Sequence, residues 1–206
     1  SKLIIKNTFF ISDSKNVIDK NLGFYESQYI NSNTEIPIIP ATSILLNSDF
    51  TIKKDSKKKI IRIGTIGRLV WEKNFKQLIE IAKELKSKIN LDFKISIVGD
   101  GPEYNIIKEL IKKNNLEEII VLKGEFDNTN IINFLSKLDI YIQTSVSEVS
   151  PLTIKEAMAA SLPVISSDIG GINDIIRNNI NGFLIQKNDT DQFVETIINI
   201  INLKDR

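Results

Sequence analysis

Two carboxylates, Glu148 and Glu156, stand with seven residues between them in Ser147-Glu148-Val149-Ser150-Pro151-Leu152-Thr153-Ile154-Lys155-Glu156-Ala157-Met158-Ala159. Ser150 suits a helix N-cap and Pro151 the first helical position, where its missing N–H would go unpaired in any case. The N–H groups of Leu152 and Thr153 then open the helix, with the positive end of its dipole behind them. Such an end is an anion site, contributing about 0.3–1 kcal/mol when exposed and about 2 kcal/mol when partly buried. Thr153, Glu156 and Ala160 share one helical stripe. Three and four residues from Glu156 stand Leu152, Thr153, Ala159 and Ala160, none of them basic. Either this carboxylate is a solvated surface charge, or it needs hydroxyls, backbone donors or a ligand. The hydroxyls of a ribose would suit.

A second cluster lies earlier, in Gly64-Thr65-Ile66-Gly67-Arg68-Leu69-Val70-Trp71-Glu72-Lys73-Asn74. Arg68 and Lys73 fall in a strand-to-helix loop where two cations can converge on a diphosphate, arginine as a bidentate fork and lysine as a point charge. Hydrogen bonds to charged groups contribute about 1.5–3 kcal/mol each. By itself a basic loop pair is more often a solvated surface. Trp71, the one tryptophan, is loop packing or a cleft wall. Gly99-Asp100-Gly101-Pro102 reads as a strand end, a turn and a proline-led helix, and Lys123 to Asp127 as a turn. Rival nucleotide motifs fit poorly. There is no Gly-x4-Gly-Lys-Ser/Thr loop, and Gly64-x-x-Gly67 is not Gly-x-Gly-x-x-Gly.

The elements that would carry these loops alternate. Apolar runs predict strands at Ile60–Gly67, Asp92–Gly99, Ile119–Gly124, Asp139–Gln143, Leu162–Ser167 and Gly182–Gln186. Helical spacing, as in Phe75, Leu78, Ile79, Ala82 and Leu85, predicts helices at Phe75–Lys88, Pro102–Asn114, Thr129–Leu138, Pro151–Ser161, Gly171–Asn178 and Thr190–Ile201. The fold class is α/β, a doubly wound parallel sheet of Rossmann-like type with right-handed crossovers. Ligands of such sheets bind beyond the carboxyl ends of the strands.

Composition narrows the chemistry. The 206 residues are 42% hydrophobic and 26% charged, with net charge +1, which gives no reason to expect a nucleic-acid partner. No histidine occurs, which excludes Ser-His-Asp and Cys-His catalysis and most zinc sites within the chain. The absence of cysteine fits a reducing, cytoplasmic setting. No apolar run approaches the roughly 20 residues of a membrane span. Leu3 to Ser12 reads as a strand-like run, followed by a short helix capped by Ser12 or Ser14 and ending near Gly23. Ile36-Pro37-Ile38-Ile39-Pro40 is a short extended segment. Lys53-Lys54-Asp55-Ser56-Lys57-Lys58-Lys59 reads as a solvated linker in preference to a patch for an anionic membrane. The chain opens Ser1-Lys2, without methionine, and reads as part of a longer protein.

Glu148-x7-Glu156 followed by Ala157-Met158-Ala159 resembles the Glu-x7-Glu signature of family-4 retaining glycosyltransferases, the glycosyltransferase group 1 of GT-B fold. Gly67-Arg68-Leu69 with Lys73, then Gly99-Asp100-Gly101-Pro102, Asp174 and Asn181-Gly182 follow that family's order. Asn74 stands where the family usually has glycine, and Ala41-Thr42 where it has Asn-Gly. The resemblance implies the tail of an N-terminal domain plus linker at residues 1–58 and a nucleotide-sugar-binding C-terminal domain at 59–206. It implies transfer of a hexosyl group, with configuration retained, from a nucleotide-diphosphate sugar, most readily a UDP-sugar. No cofactor and no metal are implied. The acceptor would be a glycan or lipid reached through the N-terminal domain, as in polysaccharide biosynthesis, and the chain alone would bind nucleotide without turnover. A weak peripheral association with the inner membrane face would accompany such an acceptor. Arg68, Lys73 and Glu148 would be catalytic, and Gly67, Phe126, Pro151, Leu152, Thr153 and Glu156 would bind the donor nucleotide. Two other classes remain open, a GT-B sugar-nucleotide 2-epimerase and a non-catalytic nucleotide-sugar or protein-binding module.

Overall fold

In the computed structural model, residues 60–148 and 151–204 are described. The expectations for Leu3–Ser12, the helix to Gly23, Ile36–Pro40, the Lys53–Lys59 run and the Ser150 cap lie outside them. Six parallel strands form one sheet: β1 (Ile61–Ile66), β2 (Phe93–Val98), β3 (Ile120–Leu122), β4 (Ile140–Gln143), β5 (Val164–Ser167) and β6 (Phe183–Ile185). Their spatial order is β3-β2-β1-β4-β5-β6, with Ile63 beside Ile95 on one side and beside Ile140 on the other. The order reverses between β1 and β4, the position at which sheets of this kind bind ligands in a crevice beyond the strand ends. No helix of the described residues is long and apolar enough to cross a membrane.

Burial explains the strand composition. Every residue of β4 and β5 is buried, whereas edge strands β3 and β6 are partly open. Buried on both faces, a central strand needs apolar residues at successive positions. On one face α1 (Phe75–Lys88), α2 (Tyr104–Lys113) and α5 (Thr190–Lys204) enclose Ile63, Ile95, Ile140 and Ile142. On the other, α3 (Asn128–Leu135) and α4 (Leu152–Ala159) pack on Ile66, Tyr141 and Val164. The two-residue alternation of β4 thus sends Ile140 and Ile142 one way and Tyr141 the other.

Helix α1 spans the residues expected from its spacing. The helix expected at Gly171–Asn178 does not form; the segment is a run of turns. Gly171 sits at φ 80°, and Asn181 accepts from the Arg177 N–H at 2.7 Å and donates to the Ile175 carbonyl at 3.0 Å. Asn178 accepts from the Leu184 N–H at 2.9 Å. Asparagine side chains here take the main-chain groups that a helical ladder would use.

Candidate functional site

The loop after β1 lies on a bed made by the loop after β2. Gly67 N–H reaches the Val98 carbonyl at 2.9 Å, Leu69 N–H the Asp100 carbonyl at 2.9 Å, and Glu103 N–H the Leu69 carbonyl at 3.0 Å. A Cβ on Gly99 would stand 2.0 Å from the Gly67 carbonyl oxygen, so the two main chains are in contact. The Gly-Asp-Gly-Pro turn therefore sets the height of Gly67 and Arg68 as well as reversing the chain. The loop ends in a short 3-10 turn, Trp71–Lys73, and Asn74 then adopts φ 50° before α1. Asn74 stands at the capping place of α1 without a side-chain cap bond. Its amide instead donates to Gln77 Oε1 and to Asn188 Oδ1, both at 3.2 Å.

The loops of β1 and β4 are stitched together across the crevice. Val146 N–H donates to the Glu72 carbonyl at 2.7 Å, and Thr144 Oγ1 donates to the carbonyls of Lys73 and Asn74, each at 3.1 Å. This brings Lys73 Nζ into an ion pair with Glu148 Oε1. The two side chains are 22% and 10% exposed, so the pair is sheltered from water. Ser145 Oγ at 3.0 Å and Gln143 Nε2 at 2.5 Å donate to the same oxygen. The stem of Lys73 crosses Gly67, where a Cβ would lie 3.2 Å from Lys73 Cε.

Helix α4 approaches from the other side. It begins at Leu152, with Pro151 in the capping place, one residue later than expected. Pro151 has no N–H to give, and its carbonyl accepts from the Ile154 N–H at 3.2 Å. The first two helical N–H groups remain those of Leu152 and Thr153. Thr153 Oγ1 donates to Gln143 Oε1 at 3.3 Å, tying the helix start to β4. One turn on, Glu156 is half-buried, and no described residue donates to its carboxylate. Burial raises its pKa above the ordinary carboxylate value. Glu148 and Glu156 both oppose ionisation of the fully buried Tyr141 phenol, whose pKa burial already raises, so all three belong to one neighbourhood.

A pH prediction follows from the unpartnered carboxylate. A raised pKa in the folded chain means that folding disfavours the charged form. Its contribution to stability is therefore full below the ordinary carboxylate range and is lost as pH rises through the folded value. Glu156→Gln is expected to raise the urea midpoint at pH 7, with the gain disappearing below about pH 4. Urea titrations across that range check it.

The expected residues are not all gathered equally. Gly67, Lys73, Glu148 and Thr153 meet through contacts or shared hydrogen bonds, and Glu156 joins them through the field at Tyr141. Pro151 is buried beneath the helix start, and the Leu152 side chain is exposed above it. Arg68 is exposed and forms no ion pair among the described residues. Phe126 packs edge-on against Phe134, with ring centroids 5.8 Å apart. Trp71 is 66% exposed and, with Asn74, Lys76, Glu103, Val146, Lys187 and Asn188, lines a hollow of 390 Å³ that none of Arg68, Lys73, Glu148 and Glu156 lines. Sequence reasoning missed Gln143 and Ser145. Their signal was a polar Gln-Thr-Ser stretch closing an otherwise apolar central strand, since buried polar side chains need partners.

Among the described residues no group of three acidic, histidine or cysteine side chains is placed to hold a metal ion.

The chain is similar to several known proteins. An Escherichia coli UDP-Gal:alpha-D-GlcNAc-diphosphoundecaprenol alpha-1,3-galactosyltransferase is 33% identical over 160 residues, which cover 74% of this chain and 41% of that protein. The solved structure of a Staphylococcus aureus TarM mutant in complex with Fondaparinux, alpha-GlcNAc-glycerol and UDP is 26% identical with a TM-score of 0.65, covering 98% of this chain and 39% of TarM. The pneumococcal O-GlcNAc transferase GtfA, solved with UDP and GlcNAc, is 25% identical with a TM-score of 0.60, covering 94% of this chain and 37% of GtfA. The chain thus spans about two fifths of the length of these relatives. The family model "Glycosyl transferases group 1" matches residues 47–206, more than half of the chain, and the chain belongs to that family.

Proposed function

We propose that this chain is the donor-binding part of a retaining hexosyltransferase, and that it takes a UDP-sugar in the crevice between the β1 and β4 loops. The observation that carries the reading is the meeting of Lys73 and Glu148 at the point where strand order reverses, with Glu156, half-buried and without a donor among the described residues, on the adjoining helix. A buried carboxylate without a donor is costly and is retained where a ligand supplies the hydrogen bonds. The E. coli relative is a UDP-Gal-dependent galactosyltransferase by name and the S. aureus and pneumococcal relatives were solved with UDP, which favours uridine as the base.

In this reading Lys73 and the exposed Arg68 offset the charge that develops on the departing diphosphate. The N–H groups of Leu152 and Thr153 add two fixed dipoles aimed at the same anion, and such preorganised donors lower the barrier without reorganising during reaction. Glu156 accepts from the ribose hydroxyls, and Glu148 from a hydroxyl of the sugar. Three donors on one oxygen of Glu148 suit a binding group, and no nucleophile is assigned to it. The main chain near Phe126 would read the edge of the base. The acceptor, a glycan or lipid-linked saccharide, would be held by parts of the protein outside this chain, so the chain by itself would bind donor without transferring sugar.

Thermal stabilisation by UDP, GDP and ADP identifies the base, because a ligand that binds only the folded state raises apparent stability. Calorimetry on Glu156→Ala then tests the site. Loss of charge-assisted ribose contacts is expected to weaken UDP binding by about 1.5–3 kcal/mol. Unchanged affinity would mean that nucleotide binds elsewhere, as in a partner-binding module built on the same fold.

A further inference from the structure

Gln143 closes β4 at 2% exposure, between two groups that the donor site requires. Its carbonyl Oε1 accepts from Thr153 Oγ1 at 3.3 Å and from Tyr141 OH at 3.2 Å. The Tyr141 hydroxyl is itself fastened to the end of β1, 3.4 Å from both the N–H and the carbonyl of Ile66. Hydroxyl donors on the Oε1 side leave the Gln143 NH2 group facing Glu148, where Nε2 donates to Oε1 at 2.5 Å. One buried amide thus ties the end of β1, the start of α4 and the carboxylate of the β4 loop.

The consequence for Glu148 is geometric. Each described donor to it, from Lys73, Gln143 and Ser145, reaches Oε1. Lys73 is flexible and Ser145 is the immediate neighbour in the loop, whereas Gln143 is immobilised at both ends of its amide. We propose that Gln143 is a positioning residue that holds Glu148 with Oε2 presented to a hydroxyl of the donor sugar, so that it governs recognition of the sugar more than of the nucleotide. This rests on the donor-site reading above. It adds that the sugar-specific part of the affinity passes through a side chain that itself touches no ligand.

The test compares UDP with UDP-galactose and UDP-N-acetylglucosamine by calorimetry on the chain. Gln143→Met keeps length and apolar bulk but loses the amide. It is expected to reduce affinity for the preferred UDP-sugar about tenfold or more beyond its effect on UDP, whose own smaller loss reports the loosened start of α4. In a Glu148→Ala background the same substitution is expected to cost UDP-sugar no more than it costs UDP, because the group through which it acts on the sugar is gone. Gln143→Glu, which keeps the shape, sets two carboxylates against each other. Its UDP-sugar affinity is expected to recover toward acid pH, as one of the pair takes a proton. Equal losses for UDP and UDP-sugar, or an undiminished Gln143→Met effect without Glu148, would overturn the proposal. Absence of a pH-dependent recovery in Gln143→Glu would count against it in the same way. Failure of the unsubstituted chain to bind UDP at all would instead overturn the functional reading.

Discussion

Lys73→Met is expected to weaken binding of a nucleoside diphosphate by about 3 kcal/mol, roughly a hundredfold, and to destabilise the chain at the same time. Two effects contribute. The substitution removes a cation from the diphosphate, and it strands Glu148, 10% exposed, with only Gln143 and Ser145 as described donors. Removing one partner of a fully buried pair costs about 3–5 kcal/mol. Partial exposure of Lys73 lets water screen the remaining charge, so about 2 kcal/mol of lost stability is expected here. The double substitution Lys73→Met with Glu148→Gln separates the two effects. Neutralising the stranded carboxylate is expected to restore most of the stability, measured by urea denaturation, but none of the lost nucleotide affinity, measured by calorimetry.

Gly99→Ala is expected to destabilise by at least about 3 kcal/mol although it adds a single methyl group. Gly99 has φ 136°, a conformation available at low cost only to glycine, and its Cβ would lie 2.0 Å from the Gly67 carbonyl oxygen. The obstacle is main chain, so no rotamer change relieves it. The loop carrying Gly67 and Arg68 must lift off its bed, and nucleotide affinity should fall along with stability. Gly124→Ala is the control. Gly124 also has a positive φ, 69°, but a Cβ there meets nothing within 4 Å, so only the backbone term of about 1 kcal/mol is expected. Urea midpoints of the two variants measure the difference between strain alone and strain plus collision.

What could be read in the sequence follows how local the physics is. Phe75, Leu78, Ile79, Ala82 and Leu85 recur at helical spacing, and α1 forms where that spacing predicts. The strands appear in order but shorter: Gly67 and Asp92 still bond across the sheet, to Val98 and Ile61, yet lie just outside the strands they flank. Residues 171–178 misled because isoleucines at helical spacing outweighed asparagines whose side chains capture the main chain. In the site, the spacing of Glu148 and Glu156 and the Arg68/Lys73 loop were legible from the residues and their resemblance to a family. The contact of Lys73 with Glu148, 75 residues away, depends on the parallel pairing of β1 with β4 and could not be read locally. For the same reason Gly99 looked like a simple turn residue. Its role comes from Gly67, which lies across a strand pair.

The account stands on a diphosphate held between the Arg68/Lys73 loop and the first N–H groups of α4. Calorimetric comparison of UDP with UMP on this chain tests that most directly, since the two differ by the β-phosphate alone. Binding of UDP at least about tenfold tighter, with the advantage shrinking as salt rises, is the expected result. Equal affinities for UDP and UMP at low salt would contradict it.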